Sequence, residues 1–123
     1  VIDDCYNANP VSMKAAIDLL DMAIGRKVAV LGDMFELGER ENEMHGEVGA
    51  YAAQKGIDVI VCVGKLSSHM YEAAKQQSGK AYYFETRDDM IQELAGILQP
   101  GDSILVKASH GMQFEKVVEY LMQ

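Results

Sequence analysis

Two apolar runs decide the fold class: Lys27-Val28-Ala29-Val30-Leu31-Gly32 and Asp58-Val59-Ile60-Val61-Cys62-Val63-Gly64. Their apolarity is continuous and does not alternate with polar residues, which is typical of strands buried on both faces. Strands of that kind belong to parallel sheets that helices cover on both sides. Both runs end in glycine, which marks the point where each strand gives way to a turn.

Similar segments extend the pattern along the rest of the chain. Val1-Ile2, residues 80–84 and residues 103–106 are further strand candidates. Helical apolar spacing fills the intervals, over residues 11–24, 43–55, 66–77, 87–98 and 112–122. The alternation predicts an α/β fold: a doubly wound, mainly parallel sheet of five to six strands with helices on both faces, Rossmann-like in its layers. The order of the strands stays open.

Length and charge narrow the range of partners. The chain has 123 residues, the size of one domain, and a formal net charge of -8 with only 11 Lys and Arg. That balance argues against nucleic acid and against anionic membrane surfaces as partners. No apolar run approaches the ~20 residues that span a bilayer. Because the chain begins with Val1, we expect a piece of a longer protein. We also expect it to work in the cytoplasm and to be monomeric.

The first polar loop, Asp3-Asp4-Cys5-Tyr6-Asn7-Ala8-Asn9-Pro10, lies between a short strand and the first helix. Asn9 followed by Pro10 has the chemistry of a helix start. Capping does not explain Asp4, Tyr6 and Asn7, and polar side chains at the carboxyl end of a strand indicate a binding surface. The alternative is an Asx-rich turn that satisfies only its own backbone.

The long irregular stretch from Gly32 to Asn42 is the second candidate. Asp33 and Glu36 lie on it, and two carboxylates at the carboxyl edge of a sheet suit a substrate ammonium or a metal, unless the loop is simply a solvated acidic one. His45 begins the next helix in a register that aims it back at this edge. A lone histidine in that place is more often a hydrogen-bonding residue at a helix end than a catalyst.

The end of the last strand, Lys107-Ala108-Ser109-His110, is a candidate anion contact at a helix start. The alternatives are a lysine that extends to solvent and a serine that caps the helix.

Nucleotide and metal motifs are otherwise missing. Gly64-Lys65 is not a phosphate loop, because Val59 stands in place of the leading glycine and Leu66 in place of Ser or Thr. No GxGxxG follows a strand. Cys5 and Cys62 lack metal spacing, and Cys62, inside a strand, is expected to be a buried thiol.

Four stretches of the chain carry sequence motifs that match a known family. They are residues 3–10 with Ser12-Met13, Val30-Leu31-Gly32-Asp33-Met34-Phe35-Glu36-Leu37-Gly38, His45 with Val48-Gly49, and Val106-Lys107-Ala108-Ser109. Together they closely resemble the carboxyl-terminal domain of the Mur ligases of peptidoglycan synthesis. The first two strings resemble the member of that family that adds D-alanyl-D-alanine to UDP-N-acetylmuramoyl-tripeptide. The resemblance spans essentially the whole chain.

The resemblance implies ATP-dependent amide synthesis, through an acyl-phosphate, by a bacterial enzyme of three domains. In that family an amino-terminal domain holds the UDP-sugar, and a central domain holds most of the ATP phosphates and Mg²⁺. The carboxyl-terminal domain closes over both. This chain would then have no catalytic residue or metal site of its own and be inactive alone. Its partners would be the two other domains, D-alanyl-D-alanine and UDP-N-acetylmuramoyl-tripeptide.

The same resemblance implies roles for the first loop and the last strand. Asp4 and Tyr6 are expected to contact the nucleotide, and Asn7 and Asn9 the substrate in the cleft between domains. The family usually has Lys-Gly-Ser-Arg after the last strand, where this chain has Lys107-Ala108-Ser109-His110. A permanent cation is thus exchanged for a titratable one, which puts the anion contact there in question.

The second loop is expected near the incoming dipeptide. By resemblance Asp33, Met34 and Glu36 contact this substrate, and a carboxylate there would orient its ammonium.

Two other interpretations of the chain compete with the ligase domain. One is a stand-alone flavodoxin-like or receiver-like module. A receiver needs an aspartate after its central strand, whereas the apolar run that begins at Asp58 ends Cys62-Val63-Gly64-Lys65. The other is an interaction domain whose Asn-rich loop is only a turn.

Overall fold

The computed structural model describes residues 2–4, 8–77, 80–109, 112 and 114–121, the first three through their backbone only. Within this part five strands alternate with five α-helices. A 3-10 helix, Gly38–Arg40, precedes the second α-helix. None of the described helices is both long and apolar enough to cross a membrane. The elements are β1 (Ile2–Asp4), α1 (Pro10–Asp21), β2 (Lys27–Gly32), α2 (Glu41–Gln54), β3 (Val59–Val63), α3 (Ser67–Lys75), β4 (Ala81–Phe84), α4 (Arg87–Ile97), β5 (Ser103–Lys107) and α5 (Glu115–Leu121).

The strands form one parallel sheet in the order β1-β5-β2-β3-β4. β2 lies in the middle, paired with β5 on one side and β3 on the other. β1 pairs with β5 alone, with Ile2 opposite Leu105 and Asp4 opposite Lys107. The prediction of a doubly wound parallel sheet is confirmed, and the order that the sequence left open is now fixed.

This order also bears on the flavodoxin-like alternative. Flavodoxin-like sheets, receivers among them, run 2-1-3-4-5, with the first strand inside the sheet. Here the first strand lies at an end of the sheet and pairs with the last strand in the chain. The order therefore argues against such a module, and the Rossmann-like description applies to the layers of the fold and not to its strand order.

Helices cover both faces of the sheet, as predicted. α1, α2 and α3 pack on one face against side chains such as Leu31 and Ile60, and α4 and α5 pack on the other against Val30 and Val61. Neighbouring residues of one strand thus belong to opposite core clusters. The double burial explains why these strands are continuously apolar in sequence.

The stretch after β2 is shorter and more helical than the sequence predicts. Gly38–Arg40 is a 3-10 helix and α2 begins at Glu41, so the prediction of an irregular loop is wrong for residues 38–42. The irregular part is residues 33–37. At the end of that loop Gly38 has a φ of +80°, which suits glycine.

Helix α1 begins with a capping box. The Asn9 Oδ1 accepts a hydrogen bond from the Ser12 N–H at 2.8 Å, and the Ser12 hydroxyl oxygen accepts from the Asn9 N–H at 3.1 Å. Pro10 occupies the first position of the helix. The helix start predicted from Asn9-Pro10 is confirmed.

Helices α2 and α3 pack closely through a glycine. A Cβ atom placed on Gly49 would overlap the carbonyl oxygen of Met70 and come within 2.8 Å of its carbonyl carbon. Gly46, one turn earlier on α2, has much more room, because the nearest atom to a Cβ there is the His69 oxygen at 3.8 Å. Gly49 therefore sets the distance between the two helices.

An ion pair closes the opposite edge of the sheet, where the strands begin. Arg26 donates to both carboxylate oxygens of Asp102, at 2.9 and 2.8 Å, and to the carbonyl of Ile97 at 2.7 Å. The Arg26 hydrogen bonds lower the pKa of Asp102. This contact ties the start of β2 to the turn before β5.

Candidate functional site

The loop of residues 33–37 leaves the middle strand at its carboxyl end, where ligands of doubly wound sheets collect. Glu36 has a φ of +62°, the left-handed region that non-glycine residues rarely adopt. Its side chain and that of Phe35 are exposed, with 42% of Phe35 accessible. Strained backbone of this kind is often found at ligand sites.

Asp33 fixes the start of the loop to α3. Its Oδ1 accepts hydrogen bonds from the N–H and the hydroxyl of Ser67, at 2.8 and 2.7 Å. Only 5% of Asp33 is exposed. Gly64, with a φ of +114°, makes this arrangement possible, because a Cβ there would overlap the Asp33 carboxylate.

His45 fixes the next residue of the loop. The Met34 N–H donates to its Nε2 at 2.9 Å, and its Nδ1 lies 2.6 Å from the Glu41 carbonyl oxygen. Since Nε2 accepts and a carbonyl cannot donate, the ring is neutral with its proton on Nδ1. The ring is fully buried. Because α2 begins at Glu41, the prediction that His45 begins this helix is wrong, but its hydrogen bonds agree with the hydrogen-bonding role that the sequence favoured over a catalytic one.

Ser109, which follows β5, fixes the third residue of the loop, Phe35. Its hydroxyl oxygen accepts from the Phe35 N–H at 2.8 Å, and its own N–H donates to the Asp33 carbonyl oxygen at 3.0 Å. The alternative prediction, a cap of the following helix, involves residues 110–113, of which the structure describes only Met112. Residues from α2, α3 and the end of β5 thus hold residues 33–35 in one conformation.

A cleft of about 330 Å³ opens beside this loop. It lies where α3 leaves β3 toward one face of the sheet and α4 leaves β4 toward the other, the kind of divergence that creates ligand crevices. Charged side chains of both signs line it. The lining residues are Asp33, Gly64, Lys65, Glu85, Thr86, Arg87, Asp88 and Met112.

Negative charge at the carboxyl edge of the sheet affects the pKa of Tyr83 on β4. Burial raises the pKa of the Tyr83 hydroxyl, and the negative charges of Glu85 and Asp33 raise it further. The carboxylates of two different strand ends therefore act on the same region. At the cleft wall Arg87 pairs with Asp88, Nη2 to Oδ1, at 3.0 Å.

The remaining predicted site residues are either buried in the fold or lie partly or wholly outside the described part of the chain. Lys107 ends β5 and is 1% exposed, so its side chain does not extend to solvent as the alternative reading had it. The Met34 side chain is fully buried in the core, which leaves its backbone at the loop. Asp4 ends β1, opposite Lys107, but its side chain lies outside the described residues. Tyr6, Asn7 and His110 also lie outside them.

Sequence reasoning missed the anchors and the cleft wall. Ser67 follows the stretch tested as a phosphate loop, and nothing in its own neighbourhood marks it as a partner of Asp33. Gly64 carried the one usable signal, a glycine directly after a buried strand. Within the described part of the chain, no group of three or more His, Cys, Asp or Glu side chains is placed to hold a metal ion.

The fold and site define an α/β domain with a parallel sheet, whose loops and cleft lie at the carboxyl edge of that sheet. The family model described as "Mur ligase, glutamate ligase domain" matches residues 1–110. The chain belongs to this family.

Named relatives fall within one branch of it. The UDP-N-acetylmuramoyl-tripeptide--D-alanyl-D-alanine ligase of Bacillus subtilis is 39% identical over 127 residues, covering 100% of this chain and 28% of that protein. The ligase of the same name from Escherichia coli is 38% identical over 125 residues, with 100% and 27% covered. The chain thus spans little more than a quarter of the length of these relatives.

Solved structures agree with the sequence relatives. A crystal structure of MurF from Acinetobacter baumannii superposes with a TM-score of 0.90 at 37% identity, over 98% of this chain and 27% of that one. MurF ligase from Thermotoga maritima in complex with ADP gives a TM-score of 0.79 at 30% identity, over 96% and 26%.

Proposed function

We propose that this chain is the carboxyl-terminal domain of a three-domain, ATP-dependent ligase that adds D-alanyl-D-alanine to UDP-N-acetylmuramoyl-tripeptide in the bacterial cytoplasm. The carrying observation is that relatives bearing this ligase's name match the chain from end to end, at 39% and 38% identity. The anchored loop of residues 33–37 supports the proposal, because it occupies the edge of the sheet where a closing domain would meet its substrates.

The reaction divides between this domain and the rest of the protein. The tripeptide carboxylate is activated as an acyl-phosphate, and the dipeptide amine then attacks its carbonyl carbon and displaces phosphate. The described residues do not fit a Mg²⁺ site, since they offer no group of three suitable ligands. We assign the metal and most phosphate contacts to the central domain.

This domain's own contribution is binding and exclusion of water. Closure of a domain over a reactive intermediate protects it from hydrolysis and completes the set of contacts around it. Asp4 and Tyr6 are assigned to the nucleotide, and Asn7 and Asn9 to the cleft between domains. Asn9 Oδ1 already accepts a hydrogen bond from the Ser12 N–H, and we assign the substrate contact to its amide nitrogen, which can donate two hydrogen bonds.

The second loop is assigned to the dipeptide. Asp33 is prealigned by Ser67, and Glu36 projects from a strained backbone position into solvent, where it meets the substrate side of the closing interface. Rigid placement of such groups lowers the entropy that binding must remove. Lys107, Ser109 and His110 stay candidates for an anion contact at the same edge.

The test uses the full-length protein that contains this domain. Formation of UDP-N-acetylmuramoyl-pentapeptide is followed by mass spectrometry while ATP, the UDP-tripeptide and D-alanyl-D-alanine are omitted in turn. We expect product only when all three are present, and none from the isolated domain. Product from a single amino acid in place of the dipeptide, or ATP hydrolysis by the isolated domain, contradicts the proposal.

A further inference from the structure

The outer edge of the sheet, along β4, has free backbone groups. Within the described part of the chain β4 pairs only with β3. The carbonyl oxygens of Lys80 and Phe84 accept hydrogen bonds from N–H groups on the β3 side. Because backbone groups alternate in direction along a strand, those of Ala81 and Tyr83 point outward. No hydrogen bond reaches these outward groups from the described residues.

The sequence of β4 does not protect this edge. Proteins commonly block an open edge with charged residues or proline. The strand reads Ala81-Tyr82-Tyr83-Phe84 and contains neither. A row of free donors and acceptors on such a strand is a template for pairing with another extended segment.

A largely apolar groove lies beside the edge, between β4 and α4, with a volume of about 440 Å³. Its lining residues are Tyr82, Phe84, Glu93, Gly96 and Ile97. Tyr82 is 37% exposed. None of the five lines the cleft beside the anchored loop. A strand added along β4 would place every second side chain over this groove.

Gly96, in the wall of the groove, is not explained by the fold. It lies within α4, where glycine lowers helix stability relative to alanine. Its φ is not positive, and a Cβ there would meet no atom of the described residues within 4 Å beyond its own helix backbone. Neither the backbone conformation nor the packing therefore calls for glycine. A side chain at this position would instead fill the groove, which favours a role for the open space itself.

The charge of the groove indicates what kind of partner fits it. Glu93 lines the groove, and Asp89 lies one turn earlier on the same face of α4. Both are exposed, and neither forms an ion pair among the described residues. A second copy of this chain, paired edge to edge, would bring two such helices side by side, and like charges would oppose the contact. A segment with basic side chains is complementary.

We propose that the β4 edge and this groove form a docking site for an extended, basic segment of a partner protein, which adds to the sheet as a further strand. The backbone of the segment pairs with Ala81 and Tyr83. Its alternate side chains, apolar and basic, lie over Gly96 and beside Glu93. In strand addition of this kind main-chain hydrogen bonds give affinity and side-chain pockets give specificity. Such a site lies outside the proposed ligase function and does not depend on it.

The test measures binding of a defined peptide to the full-length protein that contains this domain. The probe is a fluorescein-labelled heptapeptide, Thr-Lys-Thr-Val-Thr-Lys-Thr, which reads the same in both directions and so fits either strand orientation. Its valine and lysines share one face, and its threonines share the other. Fluorescence anisotropy gives the Kd of this peptide and of Thr-Glu-Thr-Val-Thr-Glu-Thr. We expect the lysine peptide to bind about tenfold more tightly, because two contacts change from repulsion to attraction.

Two substitutions on α4 test the groove, each with a control at a neighbouring exposed position outside it. Gly96→Leu fills the groove and is expected to weaken binding of the lysine peptide about tenfold, whereas Ala95→Leu should leave its Kd unchanged. Glu93→Lys should reverse the preference between the two peptides, and Gln92→Lys should keep it. Gly96→Leu should not lower the melting temperature, so loss of the fold does not account for lost binding.

N-methylation of the peptide tests the strand pairing. The backbone groups of alternate residues point the same way, so methylating the valine and lysine nitrogens blocks one strand orientation, and methylating the threonine nitrogens blocks the other. One methylated peptide should bind about tenfold more weakly than the parent, and the other should bind as the parent does. If both bind like the parent, strand addition is wrong.

Three further results overturn the proposal. The first is an absence of saturable binding by the lysine peptide, and the second is binding that Gly96→Leu and Ala95→Leu change equally. The third is a dimer, seen by analytical ultracentrifugation, that Gly96→Leu dissociates, because the occupant is then a second copy. Ligase activity is measured separately: Gly96→Leu should leave it unchanged, and a wild-type protein that binds the peptide but makes no product keeps the docking site and loses the ligase function.

Discussion

Replacement of Gly49 by alanine tests how tightly the two helices that hold the anchored loop are packed. The added Cβ would overlap the Met70 carbonyl oxygen, and the blocking atoms are backbone, so no side-chain rotation relieves the clash. Overpacking of this kind costs about 1–3 kcal/mol, and often more against rigid backbone. Alanine returns up to ~1 kcal/mol through its helix propensity. Because the blocking atoms are backbone, the overpacking cost is expected in the upper part of its range, about 2–3 kcal/mol, which leaves a net loss in the free energy of unfolding of about 1–2 kcal/mol.

Gly46→Ala supplies the control, since it gains the same propensity in the same helix and its Cβ meets nothing closer than 3.8 Å. Thermal unfolding followed by circular dichroism should show Gly49→Ala melting roughly 4–8 °C below the wild type. Gly46→Ala should melt at or above the wild-type temperature. If the two variants melt together, the close approach of α2 and α3 does not limit stability and the packing argument is refuted.

Three further predictions concern single contacts. Asp102→Asn should lower the melting temperature at neutral pH, because it removes the ion pair with Arg26. Arg26 lowers the pKa of Asp102, so the stabilisation that this ion pair gives the fold is present above the unfolded-state pKa of Asp102 and is lost as pH falls through its folded-state pKa. The gap between the variant and the wild type should therefore close in acid, and a pH-independent gap would contradict this. Burial raises the pKa of the Cys62 thiol, so in a Cys5→Ser background Ellman's reagent should label it only after denaturant is added, and rapid native labelling would show the strand to be accessible. Asn9→Ala should cost about 1 kcal/mol through the lost cap and Asn9→Asp little, measured by urea unfolding; equal losses would mean that the cap is not the source.

Most elements of the fold could be predicted because their signals are local. Continuous apolar runs gave β2 and β3, and helical spacing gave α1 to α4 with errors of a few residues at their ends. The order of the sheet could not be predicted, because it depends on which distant strands pair, and β1 and β5 lie at opposite ends of the sequence.

The site was predictable only in part, for the same reason. Asp33 and His45 stood out as polar residues after a buried strand and at a helix start. Their function as anchored and anchoring groups depends on partners that local pattern does not reveal: Ser67 is 34 residues from Asp33, and Ser109 is 74 residues from Phe35. Such contacts appear only when the strands are assembled.

The pairing of β1 with β5 alone has a consequence for the order of events during synthesis. Residues 2–4 leave the ribosome before the other strands of this sheet, yet their strand partner in the described sheet is residues 105–107, the last of these strands to be synthesised. β2, β3 and β4 can pair as they emerge, whereas closing so long a loop is slow and costs chain entropy. The first strand therefore waits unpaired through nearly the whole translation of the domain. Asp4, at the carboxyl end of this strand, is therefore positioned only when β5 joins the sheet.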